Sequence, residues 1–104
     1  HLVFVSTEHE PPTDGPAIAS NFGYYEFGSF VEARAGAYPE LAHLVEHGFV
    51  DEDMPGALAE LAAELPRLAA AAAALPDVAS VAKSLGAALG QAPAGTTGVL
   101  VMNS

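Results

Sequence analysis

Two histidines four positions apart, His43 and His47, with Glu46 between them, are the residues of this chain best suited to chemistry. On a helix, positions i and i+4 share a face, so both imidazoles can reach one divalent ion. A carboxylate beside them can act as a base on a metal-bound water. Glu40 falls one turn before His43 and could add an oxygen ligand. The same letters also describe the polar side of an ordinary amphipathic helix. Leu41, Leu44 and Val45 would be its apolar side, with His47 near the negative end of the helix dipole.

In letters, His43-Leu44-Val45-Glu46-His47 is the H-x-x-E-H pattern with which the inverted metalloproteases bind zinc. Enzymes with that motif are much larger folds and take a third ligand from a helix far downstream. Past His47 this chain offers Asp51, Glu52, Asp53, Glu60, Glu64 and Asp77, none of them in a recognisable motif. Catalytic zinc is therefore disfavoured. A metal-binding protein, or a metal-dependent hydrolase using Glu40, His43 and His47 with zinc, stands as the alternative reading. Asp51-x-Asp53-x-x-Gly56 has the outline of an EF-hand calcium loop, but its positions 5 and 12 hold Pro55 and Ala62 where oxygen ligands are required. It reads as a solvated acidic turn.

The third cluster is aromatic: Phe22, Tyr24, Tyr25, Phe27 and Phe30. One helix cannot bury all five on one side, so Tyr24 or Tyr25 should reach the surface. Exposed tyrosine beside acidic residues has the composition of a protein-binding patch. Other chemistries lack their motifs. No serine lies in G-x-S-x-G, there is no G-x-G-x-x-G, and the single lysine, Lys83, follows no phosphate loop.

Charge narrows the partners. Thirteen acids against three bases give a net charge of −10. Such a surface repels nucleic acid and anionic lipid, and it is complementary to a basic protein. With no cysteine there can be no disulfide, thiolate catalysis or Cys-based zinc site, which fits a cytoplasmic protein. The chain begins at His1 and not at methionine, which leaves room for a removed leader. No apolar run reaches the ~18 residues of a membrane span.

The elements that must position these residues follow from periodicity. Leu2–Ser6 reads as a strand buried on both faces, and Thr7–Ser20, with three prolines, as a long loop. Asn21–Ala35 reads as a helix capped by Ser20 or Asn21 and ended by Gly36, and Pro39 opens a second helix that Gly48 stops. Phe49-Val50 and Asp51-Glu52-Asp53 form a connection. From Met54 to Leu75, Leu58, Leu61, Leu65 and Leu68 fall on one stripe, with Glu60, Glu64 and Arg67 on a wet face and Pro66 kinking the helix. Pro76 opens a last helix with the stripe Val78, Val81, Leu85 and Leu89. Gly90 ends it, and Val99–Met102 reads as a closing strand. The core anchors expected are Phe22, Phe27, Phe30, the leucines and the terminal valines.

The reading is one acidic α+β domain over 1–104, four helical segments packed on a small sheet that includes the N- and C-terminal strands. Function is expected to be non-enzymatic binding of another protein, a basic one, as an immunity or inhibitor protein of bacterial type would do. The contacts expected are Tyr24, Tyr25, Glu26, Glu32, Asp51, Glu52 and Asp53. A homodimer that pairs the leucine or Val78–Leu89 stripe between chains is a third reading.

Overall fold

The two ends of the chain meet in the middle of the sheet. The computed structural model describes residues 1–6, 12–50 and 56–102. In order the elements are β1 (Leu2–Val5), β2 (Thr13–Asp14), α1 (Asn21–Glu32), α2 (Pro39–His47), β3 (Phe49–Val50), α3 (Ala57–Ala71), α4 (Pro76–Leu89) and β4 (Gly98–Val101). The sheet runs β2-β1-β4-β3, antiparallel throughout. Leu2 faces Val101 and Phe4 faces Val99, with Val50 on the far side of Val99. Side chains alternate along a strand, so this register turns Leu2, Phe4, Val50 and Val99 together into the core. The result is a small α+β domain, four helices on a four-stranded sheet.

The helices bury what their periodicity demands. In α1, Phe27, Phe30 and Val31 are buried; in α2, Leu41 and Leu44; in α3, Leu61, Leu65 and Leu68; in α4, Val78, Val81 and Leu85. Each large side chain so buried contributes roughly 1.5–3 kcal/mol of transfer free energy. Helix α4 packs on α3 and α1, and α2 packs on α1, α3 and β3. The leucine and valine stripes therefore cover each other within one chain, with Leu58 and Leu89 only partly buried.

Helix ends match the expected signals in part. Ser20 caps α1, its side chain accepting the Gly23 N–H at 3.1 Å. Gly48 closes α2 at φ 81°, a left-handed conformation in which a Cβ would be strained. Helix α1, however, stops at Glu32 and the chain continues in turns to Ala37, so Gly36 does not end it. Helix α3 runs unbroken through Pro66. Pro66 and Ala62, whose carbonyl loses its helical donor, both lie on the exposed side, where solvent can meet that carbonyl.

Several expectations are corrected. Phe22 is no core anchor: it is 68% exposed, because it falls on the outward side of α1, and Ile18 is buried from the preceding segment instead. Thr13–Asp14 and Phe49–Val50 are strands, not loop and connection. At Gly15 the backbone comes so close to β1 that a Cβ would lie 2.9 Å from the Leu2 carbonyl oxygen. Leu75 lies beyond the end of α3 and is exposed, and the closing strand is Gly98–Val101. Glu64 is not wet at all. It is 3% exposed and accepts the N–H groups of Glu40 and Leu41 at 3.1 and 3.0 Å. With proline at its start, α2 has early N–H groups that no residue of its own helix can satisfy, and Glu64 of α3 supplies the acceptor.

Candidate functional site

Helix α1 sorts its residues by spacing. Phe27, Gly28, Phe30 and Val31 point inward, and Phe22, Tyr25, Glu26, Ser29 and Glu32 form one exposed stripe at i, i+3, i+4, i+7 and i+10. Tyr25 is 71% exposed, close to Phe22 in value. Of the expected contacts, Tyr25, Glu26 and Glu32 are thus brought onto one surface. Tyr24 is half-buried beside them, and Asp51, Glu52 and Asp53 lie outside the described residues.

A cleft flanks this ridge on each side. One, of about 220 Å³, is lined by Tyr24, Tyr25, Gly28, Ser29, Glu32 and Val45. It exists because Gly28 has no side chain; a Cβ there would lie 3.0 Å from Val45 Cγ1. The other, of about 410 Å³, is walled by Phe30, Leu75, Pro76 and Val78, with Glu26, Ser29, Arg34 and Asp77 also lining it. Ser29 belongs to both, so the stripe is the crest between them.

Two electrostatic facts mark the crest. Among the described residues no carboxylate pairs with Arg or Lys; the ion pairs are His1 with Asp14 and His47 with Glu46. The arginines are engaged elsewhere. Arg34 stacks over the Phe30 ring at 3.8 Å and donates to the Phe30 carbonyl, and Arg67 donates to the Ala37 carbonyl. Glu26 and Glu32 therefore have no ion-pair partner among the described residues. The Tyr24 hydroxyl, in turn, is buried and has no hydrogen-bond partner among the described residues. Burial pushes its pKa up to about 12, so it is a neutral hydroxyl at physiological pH.

The histidine pair occupies a separate place, at the end of α2 next to β3. The two rings lie 4.6 Å apart, and both pack on Phe49, at 5.3 Å from His43 and 6.2 Å from His47. His43 Nδ1 lies 2.8 Å from the Phe49 carbonyl oxygen. Glu40 faces a different environment. Its N–H is held by Glu64, and its carboxyl is raised above the usual range by burial first, then by the charges of Glu64 and Glu60, with His43 acting in the opposite direction. Among the described residues no three of His, Asp and Glu gather closely enough to hold one ion.

Sequence reasoning missed Ser29, Gly28 and Val45 as parts of the surface. Ser29 and Phe22 were findable, since both fall at helical spacing from Tyr25. Val45 was not, because only the crossing of α1 and α2 brings it there. Among the described residues no helix is long and apolar enough to cross a membrane. Comparison of the chain with protein-family models, with curated proteins and with solved structures found no match.

Proposed function

We propose that the protein is a non-enzymatic binding module that takes a basic protein partner on the exposed face of α1, as an immunity or inhibitor protein would. The observation that carries this reading is the crest itself. Exposed aromatic rings and unpaired carboxylates share one helical stripe between two clefts with apolar walls. Aromatic anchors supply contact area at low entropic cost, and the uncompensated charge steers a basic partner.

The smaller cleft fits one arginine or lysine side chain of that partner. Tyr24, Tyr25 and Val45 would pack on its aliphatic stem, Glu32 would meet its charge, and Ser29 would offer an acceptor. The test uses a blocked peptide of alternating arginine and alanine, titrated into the chain. Tyr25→Ala and Glu32→Gln should each weaken its binding by about threefold to tenfold, a loss of about 0.7–1.4 kcal/mol. Glu60→Gln, on the exposed side of α3, should change it far less. Equal effects of all three would leave only diffuse attraction between opposite charges, and would overturn the reading.

A further inference from the structure

We propose that His43 and His47 form a two-histidine site for a late first-row divalent transition metal ion, such as zinc, nickel or copper, where the end of α2 meets β3. The site stands apart from the α1 crest and does not depend on the partner reading.

The first observation is the bond from His43 to Phe49. A backbone carbonyl can only accept, so Nδ1 of His43, 2.8 Å from the Phe49 oxygen, carries the proton. In the neutral ring the lone pair then resides on Nε2. Metal-binding histidines are characteristically oriented in this way, one ring nitrogen donating to a carbonyl or carboxylate while the other ligates. The second observation is the placement of the partner ring. The ring centroids of His43 and His47 are 4.6 Å apart. Two imidazoles on one tetrahedral ion, with metal–nitrogen distances of about 2.0–2.1 Å, have centroids roughly 5 Å apart. The observed centroid separation is close to that value.

Phe49 makes the arrangement persistent, because both imidazoles pack against its ring. Side chains already held lose less freedom when they bind. Glu46 Oε2, 3.9 Å from His47 Nε2, sets a negative charge beside the ion's position. Soft imidazole donors select the later transition metals over magnesium or calcium. Two protein ligands leave the rest of the shell to water. With no third His, Asp or Glu converging among the described residues, the site binds an ion without the three-ligand frame of catalytic zinc.

The experiment is calorimetric titration of the full chain with zinc chloride and with nickel chloride, at neutral pH in a non-coordinating buffer. One ion per chain is expected. Affinity should fall by about tenfold or more in both His43→Ala and His47→Ala, and not in His1→Ala. His47→Ala is the cleaner variant, since the His47 ring is half-exposed and its one polar contact among the described residues is Glu46. Its metal-free melting temperature should match that of the parent. An independent readout is the imidazole nitrogen spectrum, in which zinc should shift Nε2 of His43 and leave Nδ1 protonated. Binding that survives either single substitution, or no saturable binding at millimolar metal, overturns the proposal.

Discussion

Tyr24 carries a hydroxyl that the fold buries without giving it a hydrogen bond. A buried polar group left unpaired costs about 1–3 kcal/mol, so the native chain bears a penalty that phenylalanine would not. Tyr24→Phe is therefore expected to raise the melting temperature of the free protein and to leave binding of the arginine peptide unchanged, since the hydroxyl is closed to solvent and the ring is kept. An unchanged melting temperature would contradict the unpaired hydroxyl. Glu40 tells a related story in charge. Burial and the carboxylates of Glu64 and Glu60 hold its carboxyl above the usual range. Its contribution to stability is complete below the unfolded carboxyl pKa and is lost as pH rises through the higher folded value. The dipole of α2 would favour a negative charge there, but Glu64 already meets that helix end. Glu40→Gln should thus raise the melting temperature at neutral pH and leave it unchanged at about pH 3, where the carboxyls are protonated. A shift of the same size at both pH values would mean that charge is not the cause.

At the scale of elements, the joint between α2 and α3 is the least expected feature. Glu64 sits on α3 yet completes the N-terminus of α2, so one buried carboxylate fixes the two helices in register. Glu64→Gln keeps the shape but leaves one acceptor for two N–H groups. A loss of about 1–3 kcal/mol in thermal or denaturant unfolding is expected; an unchanged unfolding midpoint would contradict the joint. The sequence reads Glu64 as solvent-facing because it stands beside a leucine stripe, as Glu60 does, and nothing local separates the two. What distinguishes them is a helix start some two dozen residues earlier, and that proximity is purely tertiary. The helices themselves were legible, since Phe27, Phe30 and Val31, or Val78, Val81 and Leu85, fall at helical spacing. Strands β2 and β3 were not legible. Two residues are too few for alternation to register, and each strand exists because β1 or β4 offers it a pairing edge. Phe22 was misplaced for a similar reason: size suggested the core, but the phase of α1 set by Phe27 and Val31 turns it outward.

On the proposed reading, the molecule separates stability from recognition. Its core is closed within the chain, with a radius of gyration of 12.7 Å, about that of a folded body of this length. The net charge is −10, and among the described residues no carboxylate pairs with an arginine, because Arg34 and Arg67 stack on aromatic rings and cap carbonyls. A fold that needed those arginines for ion pairs would not leave Glu26 and Glu32 bare on the same stripe as Phe22 and Tyr25. On the proposed reading, long-range charge would attract a basic partner to the whole surface, and the aromatic anchors and flanking clefts of the crest would hold it. The central claim is therefore one of place. Its most direct measurement is the residue-by-residue map of the arginine-peptide titration, followed by amide chemical shifts in nuclear magnetic resonance. The account predicts that the largest shifts fall on Tyr24, Tyr25, Ser29, Glu32 and Val45, and persist in moderate salt. Small shifts spread over Asp14, Glu46, Glu60 and Asp77 as much as over α1, vanishing together as salt is added, would contradict it.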